Sequence, residues 1–251
     1  MQMLQKIMVI INVVLLTACV TGNERFGNTD TTELARAKAH TDLGAAYLQQ
    51  NKYEIALEEF KLAIESDPKY SLAHNGLGLV YSALNEDAKA DASFKQAVTI
   101  DPRNSESQNN YGSFLCSRKR FDESIPHFLE AVKNPLYTTP TIAYTNAGIC
   151  SVRKGDSKNA EGYFVKALQI EPLNHTAAYY LGDIQFKRGD TIGAKKTLQN
   201  ALISNPGPEA LWLGIKIERI LGDKDNEASY ALQLRQQYPN SEQTRLLLSG
   251  K

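Results

Sequence analysis

The sequence predicts an all-α solenoid of about six stacked helix-turn-helix units. Three observations carry that prediction. Gly44, Gly78 and Gly112 recur with a period of 34, Gly148 follows 36 later, and Gly182 comes after another 34. A period in this range marks hairpins that stack because none can bury its apolar face alone. The same layout of small and bulky residues surrounds each of these glycines. A proline then punctuates the chain at Pro68, Pro102, Pro172 and Pro206, pushing the residue before it out of the helical region.

The clearest unit is 71–104. Its small residues are Gly78, Ala90 and Ala97, and its bulky ones Leu77, Tyr81 and Phe94. Unit one spans 37–70, with Leu43, Gly44 and Tyr47 on one helical face and Ala56, Phe60 and Ala63 on the face of the next helix. Unit three, 105–140, has Tyr111, Gly112, Leu115, Phe128 and Ala131, with Ser124 where the others have Ala. Its tail, NPLYTTP from Asn134 to Pro140, carries two extra residues. Units four and five fill 141–174 and 175–208. A sixth, 209–242, is degenerate: Trp212, Ile215, Ala228 and Leu232 fit the frame, Lys216 takes the place of the Gly, and Arg235 that of the late Ala. Residues 243–251, with Leu246, Leu247 and Leu248, are expected to cap the last face.

The residue types follow from packing. Gly on the first helix and Ala on the second let two backbones approach closely, and large side chains fill the rest at near-crystalline density. The turn inside each hairpin needs a left-handed residue. Asn51, Asn85, Gly155 and Gly189 suit it, and Lys119 is the exception.

This layout resembles the tetratricopeptide repeat. The resemblance implies a right-handed superhelix whose first helices line a concave groove. Groove positions are then Asn75 and Leu79 in unit two, Asn109 and Asn110 in unit three, Ile142, Asn146 and Ile149 in unit four, and Tyr179 and Phe186 in unit five. The mixture is apolar and amide, with few charges. It suits an apolar extended or helical protein segment better than an acidic peptide terminus. Asn110 and Asn146 are equivalent, and two readings stand for them: hydrogen bonds to a bound backbone, or local satisfaction of helix and turn groups.

The N-terminus differs from the rest. Lys6 precedes an apolar run of about 12 residues to Ala18, well short of the ~20 a membrane-spanning helix needs. Residues 1–18 therefore read as a signal peptide. Leu16-Thr17-Ala18-Cys19 resembles a bacterial lipobox, which implies cleavage before Cys19 and its modification by a diacylglycerol and a further, palmitate-like acyl chain. Two or more chains give stable anchoring. Val20 rather than Asp follows, implying the outer membrane of a Gram-negative bacterium. Residues 19–34 are expected to form the lipidated Cys and a flexible tether, with Thr31 or Thr32 capping the first helix.

Positive and negative side chains balance at 28 each among 251 residues, which argues against a basic nucleic-acid binder. No phosphate loop, GxSxG, HExxH or Cys-x-x-Cys occurs. The expectation is a protein that is not an enzyme, with no cofactor, no metal and no small-molecule substrate. His40 and His74 share a repeat position and are expected to be packing residues. Cys116 and Cys150 lie on first helices of adjacent units and would meet an oxidising periplasm. They are either inert buried thiols or partners in a disulfide.

NNYGSFLC (Asn109 to Cys116), NPLYTTP and NAGIC (Asn146 to Cys150) resemble the type IV pilus biogenesis lipoproteins of the PilF/PilW type. That resemblance implies a pilotin of the fimbrial machinery: a scaffold on the periplasmic face of the outer membrane that binds the secretin subunit and promotes its localisation and multimerisation. Two other classes stand beside it. Another outer-membrane lipoprotein scaffold, such as a subunit of the β-barrel assembly machinery, would share the lipobox and repeats but not these segments. A periplasmic enzyme acting on peptidoglycan would need a constellation without a sequence signature.

Overall fold

The computed structural model describes residues 29–202 and 206–250; the signal segment, Cys19 and most of the tether assignment lie outside them. The described residues form thirteen α-helices and no strand: α1 (Thr29–Gln49), α2 (Tyr53–Ser66), α3 (Ser71–Ala83), α4 (Asp87–Ile100), α5 (Ser105–Ser117), α6 (Phe121–Ala131), α7 (Pro140–Lys154), α8 (Ser157–Ile170), α9 (His175–Lys187), α10 (Thr191–Leu202), α11 (Pro208–Leu221), α12 (Lys224–Gln237) and α13 (Glu242–Leu248). Consecutive helices pair into six hairpins, α1/α2 to α11/α12. Each second helix also packs on the next first helix, and the first helices touch one another in series from α1 to α11. Among the described residues no helix is long and apolar enough to cross a membrane.

A phenylalanine organises each of the first four hairpins. Phe60, Phe94, Phe128 and Phe164 are fully buried, and each ring lies against the repeat-frame glycine of its own hairpin, always at the same offset along the chain. A methyl group at Gly44, Gly78, Gly112 or Gly148 would stand 3.0, 2.6, 2.9 or 2.5 Å from that ring. The fifth hairpin has Leu198 instead, and Gly182 there has ordinary room, 3.6 Å to Leu198 Cβ. Phe60 also leans over the second hairpin, within 2.2 Å of where a methyl on Gly76 would be. Gly76 sits two residues before Gly78, the place held by Asn110 and Asn146 in units three and four, so only there is the room open.

The left-handed residues fall where the sequence put them. Asn51, Asn85 and Lys119 have φ of 58°, 59° and 61°, and Gly155 and Gly189 have 89° and 90°. Lys119 holds this conformation without glycine's freedom or an asparagine's local hydrogen bond, at a cost of roughly 1–2 kcal/mol.

Two expectations are corrected. The helix α1 begins at Thr29, so residues 29–34 of the expected tether are helical and Thr31 and Thr32 lie inside the helix, not at its cap. No Gly or Pro separates Thr29 from Gly44, so nothing stops the helix from running past the hairpin. The sixth unit also has its glycine, at Gly214 and not at Lys216. A methyl on Gly214 would lie 3.0 Å from the Tyr230 ring, and Tyr230 follows Gly214 at the offset that separates Phe164 from Gly148. The linker explains the slip: the stretch from Ala201 to Gly214 is shorter than the equivalent stretch from Ala167 to Gly182. In this frame Leu234 and Ile215 are fully buried, whereas Leu232 is half exposed. The helix α13 packs on α11 and α12, with Leu247 against the cluster of Leu211, Ile215 and Leu234.

Candidate functional site

The first helices line one face of the solenoid as a trough. In its N-terminal half two openings meet. One, of about 340 Å³, is bordered by Asp42, Leu48, Leu72, Asn75, Leu79 and Glu106, with Phe60 beneath. The other, of about 660 Å³, is bordered by Leu72, Glu106, Asn109, Asn110, Leu136 and Ile142. Leu72 and Glu106 belong to both, so the surface is continuous from α1 to α7. Leu72, Glu106 and Ile142 each stand six residues before their unit's glycine. That shared frame position was the signal that would have added Leu72 and Glu106 to the expected groove. The 134–139 segment forms one wall, with Leu136 84% exposed at its crest.

An amide ladder runs along the floor. Asn110 Nδ2 donates to Asn75 Oδ1 at 3.3 Å, and Asn146 Nδ2 donates to Asn109 Oδ1 at 3.1 Å. Each bond joins the residue two before one glycine to the residue three before the preceding glycine. Neither open reading of Asn110 and Asn146 describes this. The amides tie one unit to the next, and at each rung only the donor is used. Asn75 and Asn109 are buried, and a buried amide without a partner is costly, so the ladder fixes the register of three first helices.

The remaining groove residues divide. Ile142 is 49% exposed on the trough wall. Leu79 and Ile149 are half buried and pack into the hairpin cores. Tyr179 and Phe186 pack on the fifth hairpin's core in a C-terminal half of different character. Lys187 pairs with Asp183 at 2.6 Å, and Lys216 lies over the Phe186 ring, 5.1 Å from its centroid. Burial pushes the Tyr179 hydroxyl up to about 12, with Asp183 adding to it. Burial also holds the Lys216 ammonium below its usual range. The nine expected residues therefore do not form one pocket: Asn75, Leu79, Asn109, Asn110 and Ile142 meet in the two joined openings, and Asn146, Ile149, Tyr179 and Phe186 border neither.

Cys116 on α5 and Cys150 on α7 are joined as a disulfide, with Cα atoms 5.8 Å apart. Ser124 explains its departure from Ala here. Its hydroxyl is fully buried, donates to the Gly112 carbonyl at 2.8 Å and lies 3.2 Å from Cys150 Sγ. The bridge and the Asn146–Asn109 rung of the ladder thus fasten the same pair of units.

His40, His74 and His127 are hydrogen-bonded, not packed in a core. His40 Nδ1 meets Glu59 at 2.7 Å, and His74 Nε2 meets the Pro68 carbonyl at 3.0 Å. His127 is the most enclosed in its surroundings: Nδ1 lies 2.6 Å from Gln108 Oε1, and the ring sits 4.5 Å from that of Tyr111. Burial holds its pKa below the ordinary 6.5, against the opposing pull of Glu123 and Glu130. The unfolded chain then takes up a proton at a higher pH than the folded one. Stability from this group is complete above about 6.5 and is lost as pH falls through the folded value. Urea midpoints at about pH 7 and pH 5.5 are expected to fall less in His127→Gln than in the natural chain; equal falls would show that this ring is not responsible. No cluster of three or more His, Cys, Asp or Glu able to hold a metal occurs among the described residues.

Comparison with known proteins agrees with this geometry. Models for the TPR repeat and the tetratricopeptide repeat match residues 44–85 and 72–104. The type IV pilus assembly protein PilF of Pseudomonas aeruginosa is 32% identical over 230 residues, 90% of each chain. The solved structure of P. aeruginosa PilF superposes with a TM-score of 0.80 at 29% identity, over 88% of this chain and all of that one. The crystal structure of PilW, described as a widely conserved type IV pilus biogenesis factor, gives 0.73 at 33% identity, over 84% and 98%.

Proposed function

The chain belongs to the family of type IV pilus assembly proteins that includes PilF and PilW, and from that premise we propose that it is the pilotin of its pilus machinery. It is a tetratricopeptide-repeat protein with a protein-binding fold. In the proposed role it binds the secretin subunit in the trough, and acyl chains on Cys19 hold it on the periplasmic face of the outer membrane. The secretin is thereby delivered to the membrane in which it assembles. Nothing in the role requires bond breaking. The protein works stoichiometrically: the trough supplies recognition and the lipid the address.

The observation that supports this reading best is the continuous trough of α1, α3, α5 and α7. Leu72, Leu79 and Ile142 offer apolar contact, and the ladder leaves the side-chain oxygen of Asn110 free to accept from an extended backbone. Burying apolar area of this kind gives roughly 25 cal/mol per Å² before ordering costs. A Leu72→Glu/Ile142→Glu double variant is expected to keep its helical content and lose co-purification with secretin, together with heat-resistant multimers and surface pili. Undiminished co-purification would refute the trough as the site. Cys19→Ala is expected to leave the body folded and the secretin misplaced; secretin normally placed in that strain would refute the address role.

A further inference from the structure

The amide ladder lacks its first rung. Each rung pairs the residue two before one glycine with the residue three before the preceding glycine, as Asn110 with Asn75 and Asn146 with Asn109. In the same frame the first pair is Gly76 and Thr41. Gly76 has no side chain with which to donate. Thr41 stands at the acceptor place, only 8% exposed, and its Oγ1 is buried with no hydrogen-bond partner among the described residues. The other end of the ladder differs. There Tyr180 holds the donor place and stacks on Phe164, with ring centroids 5.4 Å apart, while Thr145 at the acceptor place donates to the Thr141 carbonyl at 2.8 Å. A hydroxyl at a ladder end can thus be satisfied within its own helix, and at Thr41 it is not.

Thr41 and Gly76 both border the opening of about 340 Å³ in the N-terminal half of the trough. Leaving a buried hydroxyl unpaired is costly, and each such group calls for an explanation. Leu48, Leu72 and Leu79 give the same opening apolar walls, and the charged residues on its border are of one sign. They are Asp42 from α1 and Glu106 from α5, both exposed. No Lys, Arg or His borders it. Lys38, one turn before Asp42, borders neither opening, and Arg103 borders only the adjoining one. The opening thus combines a buried unpaired hydroxyl, apolar walls and two carboxylates at its border. At about 30 Å³ per water it holds roughly eleven waters, or one long side chain in their place.

We propose that this opening takes one Lys or Arg side chain from the protein segment bound in the trough, and that its cationic head supplies the missing rung. The head donates to Thr41 Oγ1 and is drawn in by the carboxylates of Asp42 and Glu106, while the alkyl stem lies along the leucines. A wholly apolar segment would cover Thr41 and both carboxylates without pairing any of them. A neutral amide would satisfy the hydroxyl and leave the carboxylates uncompensated. The inference rests on the reading of the trough as the docking site, and it narrows the partner to an apolar segment with a basic residue seated over the first two units.

The test is a titration of the full chain in detergent with two capped tripeptides, acetyl-Leu-Lys-Leu-amide and acetyl-Leu-Gln-Leu-amide, read by the backbone amide shifts of Thr41, Asn75 and Gly76. Saturable shifts are expected with the Lys peptide, with half-saturation at about 1 mM, and the Gln peptide is expected to bind about tenfold more weakly. Thr41→Val replaces an unpaired hydroxyl by a methyl of the same shape. It is expected to melt no lower than the natural chain and to weaken the Lys peptide about tenfold. The exposed change Asp42→Asn/Glu106→Gln is expected to do the same, and it decides if Thr41→Val fails to fold. Comparing one peptide across variants cancels its partition into the detergent. Equal binding of the two peptides would overturn the proposal and leave the trough as an apolar docking site. No saturable shift with the Lys peptide, or shifts indifferent to both variants, would overturn it as well. If the Lys peptide binds as expected while Leu72→Glu/Ile142→Glu still retains secretin, the trough reading fails and the chemistry of the opening stands.

Discussion

Gly112→Leu is expected to be among the most damaging single substitutions in the protein, costing several kcal/mol, at or above the usual ~1–3 for overpacking. A methyl at this position already stands 2.9 Å from Cε1 of Phe128. The ring cannot retreat, because it is fully buried beside Ala147 and the disulfide. The Gly112 carbonyl also accepts the buried Ser124 hydroxyl, so parting the helices would break that bond too. For a chain of this size each kcal/mol lowers the melting temperature by roughly 2–4 °C, and a fall of about 10 °C is expected by calorimetry. Gly182→Ala is the control. Its methyl has ordinary room beside Leu198, and alanine favours helix over glycine by about 1 kcal/mol. That variant is expected to melt at or above the natural temperature. Equal losses in both would show that the glycines serve something other than close approach to the aromatic ring.

Removing the Cys116–Cys150 bridge is the second large effect. The bond spans a sequence separation of 34, and closing a loop of that length corresponds to about 3–4 kcal/mol in the chain-entropy model. A Cys116→Ser/Cys150→Ser variant is expected to lose at least that, since serine at the buried Cys150 position also adds a hydroxyl needing a partner. The loss should be local in character. Stability in a solenoid is a sum over units and their interfaces, so amide exchange is expected to accelerate first in α5 to α8 and last in α1 to α3. Uniform acceleration along the chain would contradict that. The amide ladder makes a check available: Asn146→Ala on the bridged background should loosen the same interface by about 1 kcal/mol, and more when the bridge is absent.

The solenoid was legible because its signal is repeated. Gly, Ala, Phe and turn residues recur at a fixed spacing from unit to unit, so a single exception such as Lys119 or Ser124 does not blur it. Legibility failed where the period failed. The short linker before α11 moved the sixth glycine to Gly214, and a frame carried forward by 34 landed on Lys216. The candidate site was half visible. Ile142 and the asparagines follow from position in the repeat, but no spacing shows that Asn110 and Asn146 spend their donors on the preceding unit. Gly76 was equally hidden, since its neighbour Phe60 comes from another hairpin.

The amino-acid sequence by itself determined the helices, their order, the turns and the pairing within each unit, because these rest on contacts close along the chain that every repeat states again. Only the tertiary structure decided what lies between units: the ladder of Asn75, Asn110, Asn109 and Asn146, the joined openings around Leu72 and Glu106, and the buried meeting of Glu218 with Lys195. Those contacts depend on the small rotation from one hairpin to the next. That rotation is set by how Gly, Phe and linker length pack together, and no single unit carries it.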